Sequence, residues 1–184
     1  MVILASGSPR RQERMKQIVD DFVIIVSDID ENVSKNLPPL EAVLEIAKRK
    51  GEAVFKEHPH DIVLSADTIV VLNNEIIGKP VDEEDARRIL HKLSGQTHTV
   101  ITAYCWFKGN QMIENHVISE VTFHQFGDDF INKYIATGSP LDKAGAYGVQ
   151  DPESHQIIKE IKGSVDNVIG FPIKEIKEDY QKIK

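Results

Sequence analysis

The chain has one cysteine, Cys105, which excludes an internal disulfide and any paired-cysteine zinc site. It lies in the apolar run 103–107 and reads as a small buried hydrophobe rather than a catalytic thiol. Long apolar runs are missing too. None approaches the roughly 18 residues that span a bilayer, and residues 2–5 are too few for a signal-peptide core, so no membrane partner and a cytoplasmic location are expected. Basic residues are in the minority, 22 Lys and Arg against 29 Asp and Glu, and the net charge of -7 argues against nucleic acid as the main partner. Small anions stay open, because a local cluster of cations holds a phosphate compound whatever the sign of the whole molecule.

Several chemical signatures are also absent. There is no GxxxxGK[ST], no GxGxxG after a strand and no HExxH, and the histidines do not fall at ligand spacing. Ser6 and Ser8 lack a GxSxG context, which sets a serine hydrolase aside. No repeat, low-complexity tract or Gly/Ser linker divides the 184 residues, so a single domain over 1–184, or two closely joined lobes, is expected.

What is present is an alternation of strand and helix patterns. Strands are expected at 2–5, 22–26, 62–72, 75–77, 97–107, 111–123 and 156–161. Helices are expected at 9 to about 19, at 40–58, from Asp82 toward Gly95, at 128–137, and from Pro172 onward. Asn73-Asn74 and Lys108-Gly109-Asn110 read as hairpin turns. Hairpin strands must be antiparallel while the early strand-helix-strand units can be parallel, which gives an α/β or mixed α+β fold around a mixed sheet with flanking helices.

Some residues contradict their surroundings. In ASGSPRR, residues 5–11, Ser8 reads as an N-cap and Pro9 as the first helical residue, so Arg10 and Arg11 fall in a helix's opening turn, where the macrodipole is already positive. Asp67 interrupts the apolar VLSADTIVVL; it is either a self-satisfied carboxylate at a bend or a metal ligand or general base. Lys50 takes a slot on the apolar stripe of Val43, Ala47 and Val54, either snorkelling to the surface or aimed into a cleft. Lys79, between Gly78 and Pro80, is a plain turn lysine or a cation held at a defined place. Glu31 belongs by default to a solvated acidic loop, and DKAGAYGVQD, 142–151, is a ligand loop or a long glycine-rich connection. Taken together, Arg10, Arg11, Lys50 and Lys79 with Glu31 and Asp67 suit a metal-bound polyphosphate.

LASGSPRR, SADTIVVL with its following GKP, LSGQTHTVITA and PLDKAGAYGVQ, in this order, resemble the Maf family of nucleoside triphosphate pyrophosphatases over residues 4–172. The resemblance implies two lobes around a deep cleft (a Maf/ITPase-like fold), a divalent cation (Mg²⁺ or Mn²⁺), a nucleoside triphosphate substrate and a homodimer. It implies hydrolysis between the α and β phosphates to a nucleoside monophosphate and pyrophosphate. By motif, Asp67 and Lys79 are the catalytic pair, and Ser6, Arg11, Lys50 and Lys79 bind substrate. Glu31 and Asp67 hold the metal, while Arg10, Thr68 and Gln150 match the branch that prefers dTTP and UTP over modified guanine nucleotides. The chain departs from the family pattern at Asp151-Pro152-Glu153, where Gly usually follows the glutamine, and at Val165-Asp166, where an aromatic often follows Gly-Ser. A second class of function, a non-catalytic nucleotide-binding regulator of septum formation, uses the same phosphate-gripping residues but needs no water-activating carboxylate.

Overall fold

The computed structural model describes residues 1–33 and 36–184. Its elements run in the order β1 (Val2–Leu4), α1 (Pro9–Met15), β2 (Val23–Ile24), α2 (Pro39–Glu57), β3 (Ile62–Leu72), β4 (Glu75–Ile77), α3 (Glu83–Leu93), β5 (Thr97–Lys108), β6 (Gln111–Phe123), α4 (Asp128–Ala136), β7 (Ile158–Lys162), α5 (Val165–Ile169) and α6 (Ile173–Ile183). Short 3₁₀ turns at Ser139–Asp142, Ala144–Ala146 and Pro152–Gln156 fill the connection between α4 and β7. The seven strands form a mixed sheet of order β2-β1-β3-β5-β6-β7, with β4 paired to β3. As the strand-helix-strand pattern allows, β1 is parallel to both β2 and β3. The hairpin partners β3 and β4 are antiparallel, and Asn73 and Asn74 make the turn at φ 51° and 64°, the left-handed pair of a two-residue hairpin.

The chain divides into two compact units. The first comprises residues 1–68, 102–117 and 170–184, the second residues 69–101 and 118–169. In the first unit Val2 and Leu4 of β1, Leu64 and Ala66 of β3, Tyr104 and Trp106 of β5, and Phe171, Ile176 and Ile183 form the core with Met15. Helix α6 is fastened there by polar groups: Tyr104 donates its hydroxyl proton to Asp179 Oδ2 (2.7 Å) and Trp106 Nε1 donates to the Ile176 carbonyl (3.2 Å). In the second unit Ala86, Ile89, Leu90 and Leu93, the buried face of α3, pack with Val100, Val121, Phe123, Ile131, Tyr134 and Tyr147. Asp82 caps α3 by accepting from the Asp85 amide at 2.8 Å.

Several boundaries differ from the sequence pattern. The first helix stops at Met15 rather than near 19, because the bonds tighten to three-residue spacing at Gln17 and Ile18; the apolar residues beyond it still pack on the first core. Strand β2 keeps only Val23–Ile24, as it pairs with β1 alone and leaves both side chains exposed at the sheet edge. The last strand starts at Ile158, since Pro152–Gln156 wind into a 3₁₀ turn, and α5 was not expected. Cys105 is fully buried, and desolvation, aided by nearby Glu114, pushes its thiol up to about 12, in keeping with a structural role. Among the described residues no helix is long and apolar enough to cross a membrane.

Candidate active site

Helix α2 and strand β3 create the central pairing of the first unit. Along β3 alternate residues face one way, so Ser65 and Asp67 share a face. Ser65 Oγ donates to the Ala47 carbonyl at 2.6 Å and draws α2 close to the strand. Only glycine fits one turn further on, because a Cβ at Gly51 would lie 2.2 Å from Phe107 Cε2 and 2.5 Å from Ser65 Oγ. Lys50 precedes that contact, and its ammonium reaches Asp67 Oδ1 at 2.7 Å. Both side chains are 15% exposed, so Lys50 turns inward to a partly buried partner instead of snorkelling to solvent.

Glu31 joins the same cation, with Oε1 3.0 Å from Lys50 Nζ. The acidic loop that carries it is held by its neighbours. Asp30 Oδ1 accepts from the Asn32 amide at 2.9 Å, and Arg49 Nη1 donates to the Asn32 carbonyl at 3.1 Å, tying the loop to α2. An acidic loop and an interior aspartate, thirty-six positions apart in sequence, therefore share one ammonium.

Arg11 works on the other face of β3. Its Nη1 donates to the Ala66 carbonyl (2.7 Å) and to Ser6 Oγ (3.4 Å), Nη2 to Thr68 Oγ1 (3.0 Å), and Nε to the Gly170 carbonyl (3.0 Å). Thr68 is bonded in turn to Thr102 Oγ1 at 2.9 Å. The residues on either side of Asp67 are thus clamped by one guanidinium whose hydrogen-bond partners among the described residues are all neutral. Burial is the largest influence on it and pushes its pKa below the ordinary value; Asp67 opposes that shift, Arg10 adds to it and Glu31 opposes it. Ser8 does occupy the N-cap of α1 and Pro9 the first turn, but the Ser8 side chain makes no capping bond and no acidic residue lies in that turn. Ser6 is buried and its Oγ also accepts from the Ser8 amide at 3.3 Å.

Ser6, Arg11, Glu31, Lys50, Asp67 and Thr68 are thereby drawn together within the first unit, with Arg10 close enough to influence Arg11. Lys79 and Gln150 belong to the second unit, and both are exposed. Lys79 makes no ion pair or side-chain hydrogen bond among the described residues. Its loop is nevertheless fixed, because the Gly145 amide donates to the Gly78 carbonyl at 3.1 Å, joining the GKP and KAGAYG motifs. Asp151, the departure from the family pattern, stabilises the loop bearing Gln150: its Oδ2 accepts from the Tyr134 hydroxyl (2.5 Å) and Ser139 Oγ (2.7 Å), and the Gly148 amide donates to the Tyr134 hydroxyl (2.9 Å).

Ser65, Gly51, Thr102 and Gly170 were not singled out from the sequence. Serine and threonine in a strand, and glycine in a helix, carry no local mark of the atoms they approach across the fold.

Among the described residues no group of three or more His, Cys, Asp or Glu side chains gathers as a metal cage. Glu31 and Asp67 nonetheless converge on a single cation, and two carboxylates suit a hard divalent ion that arrives with phosphate oxygens and water as its remaining ligands. The residues present therefore fit such an ion.

A sequence profile described as Maf-like protein matches residues 1–183. Curated relatives named dTTP/UTP pyrophosphatase include one from Pyrococcus furiosus, 42% identical over 94% of this chain and 90% of the relative. Another, from Fusobacterium nucleatum, is 42% identical over 99% of this chain and 95% of its own. The solved structure of the Staphylococcus aureus Ham1 protein covers 100% of this chain and 99% of its own at a TM-score of 0.55 and 14% identity, a likeness of fold alone. With a profile matched over nearly its whole length and relatives this similar end to end, the chain belongs to the Maf-like protein family.

Proposed function

We propose that this protein is a nucleoside triphosphate pyrophosphatase that hydrolyses the α–β phosphoanhydride of dTTP and UTP, releasing a nucleoside monophosphate and pyrophosphate. The observation that carries the reading is the convergence of Asp67 and Glu31 on Lys50, beside an arginine that, among the described residues, is hydrogen-bonded to neutral acceptors. Curated relatives that match nearly the whole chain bear the name dTTP/UTP pyrophosphatase, which supports both the reaction and the base preference.

In this reading Asp67 orients the attacking water and accepts its proton. One of its oxygens is held by Lys50, which fixes the carboxylate's direction. Arg11 keeps the strand around Asp67 in place and contributes positive potential, while Lys50 and Lys79 offset charge developing on the leaving pyrophosphate. Ser6 and Arg11 complete the phosphate-facing set, and Arg10, Thr68 and Gln150 select the base. Glu31 and Asp67 would hold Mg²⁺ or Mn²⁺, which supplies Lewis-acid polarisation of the phosphate oxygens when bound. The substrate pool puts this work in the cytoplasm. A homodimer accords with the sheet edge at β2, where Val23, Ile24 and nearby Val26 are exposed.

The test is incubation with Mg²⁺ and a panel of nucleoside triphosphates, followed by assay of pyrophosphate and monophosphate. Release of both from dTTP and UTP ahead of the purine nucleotides is expected. Nucleotide binding without pyrophosphate from any of them would overturn the catalytic reading and favour a sensor.

A further inference from the structure

His98 of β5 is 1% exposed, yet its Nδ1 has no hydrogen-bond partner among the described residues. Its Nε2 lies 2.7 Å from the hydroxyl of Tyr147, itself 5% exposed. The imidazole stands edge-on to Phe123 and Tyr147, with ring centroids 4.8 and 5.3 Å away. A buried nitrogen without a partner costs stability that an apolar side chain would not. The feature that distinguishes this ring from a hydrophobic filler is its bond to Tyr147.

Tyr147 closes a strained stretch. Gly145 and Ala146 stand consecutively in the left-handed region at φ 72° and 57°, a conformation that is sterically unfavourable for an alanine. A Cβ on Gly145 would lie 3.0 Å from Val70 Cγ2, so the backbone is pressed against β3. The same Gly145 donates its amide to the Gly78 carbonyl, the residue before Lys79. Strain of this kind persists only where the surroundings hold it, and here the Ala146 amide donates to the Lys143 carbonyl at 3.0 Å on one side while the Tyr147 side chain is anchored on the other.

We propose that His98 and Tyr147 are positioning residues for Lys79, acting as a buried latch that keeps Gly145 bonded to Gly78. The proposal rests on the reading of Lys79 as a phosphate-facing cation. It adds residues that touch no substrate yet decide where that cation stands.

Tyr147→Phe removes the hydroxyl and leaves the ring. Hydrogen exchange at the Gly145 amide should accelerate in this variant, while the paired amides of β6 and β7 keep their protection. With dTTP as substrate, kcat/KM should fall roughly tenfold in the wild-type background, as a modest displacement of a positioning group does. In a Lys79→Ala background the same substitution should have little further effect on the residual turnover, because the residue it positions is gone. His98→Leu should reproduce these effects, and His98→Gln, whose amide can still bond the tyrosine, should retain most activity. Unchanged Gly145 exchange, or an equal multiplicative loss with and without Lys79, overturns the proposal. Should wild-type protein show no turnover, the functional reading fails by itself and the exchange measurement alone decides the latch.

Discussion

The ammonium of Lys50 lies 2.7 Å from Oδ1 of Asp67, in a pair where each side chain is only 15% exposed. A cation on the face of a helix and an anion inside an apolar strand, each anomalous in its own pattern, are thus each other's partner. Glu31 adds a second carboxylate at 3.0 Å, so one ammonium is shared by two carboxylates.

Asp67→Asn keeps the shape of the side chain and removes its capacity to accept a proton. Turnover of dTTP should fall by about 10²- to 10⁴-fold, with circular dichroism and unfolding midpoint close to wild type. Full activity in this variant rejects Asp67 as the base.

Lys50 pairs with both Glu31 and Asp67, the carboxylates that would hold the divalent ion under the proposed function. Lys50→Met should therefore bind Mn²⁺ more tightly than wild type in the absence of nucleotide, as followed by the paramagnetic resonance of free Mn²⁺. Catalysis should weaken at the same time. Weaker Mn²⁺ binding would separate the metal position from this carboxylate pair.

Gly51→Ala sets a helix-favouring residue against a steric conflict, with the new Cβ 2.2 Å from a ring atom of buried Phe107. The overlap should win, destabilising the protein by about 1–3 kcal/mol despite the propensity gained. Urea unfolding measures the loss. A reduced kcat should accompany it as α2, and Lys50 with it, moves off β3.

Acid should destabilise the protein in two stages. Burial holds His98 at about 4, below its ordinary 6.5, so the unfolded chain takes up the proton first. That contribution is complete above pH 6.5 and is lost as the pH falls toward 4, amounting to about 3 kcal/mol at most. His98→Leu should flatten this limb of urea stability against pH.

The second stage belongs to Asp179. Desolvation raises its pKa, but donors from Lys182, Tyr104 and Asn115 together outweigh that and leave it below the ordinary 3.8. Its contribution is present above 3.8 and disappears as pH falls through the lower folded value. Asp179→Asn should remove this dependence, and an unaltered acid limb would show that the charge is not what fastens α6.

Strands 62–72, 75–77 and 111–123 were legible to the residue because both their apolar content and their turn signals are local. The anomalies of Asp67 and Lys50 were also legible, since a charge within an apolar pattern stands out in one dimension. Their pairing was not. It depends on Ser65 and Gly51 bringing helix and strand together, and nothing in either residue type announces the backbone it will approach. The arginines show the same division. The repulsive opening turn of α1 marked Arg10 and Arg11, while Arg11, besides nearby Ser6, finds its acceptors at residues 66, 68 and 170.

The sequence by itself determined which segments become strands and helices, and which charged side chains break their rules, because periodicity and local propensity act over a few residues. Only the tertiary structure decided that Glu31 and Asp67 meet at Lys50, that Arg11 clamps the strand around Asp67, and that Tyr147 reaches His98. Those outcomes rest on close packing between segments far apart in the chain, where a missing Cβ or a single hydroxyl decides how near two backbones can lie.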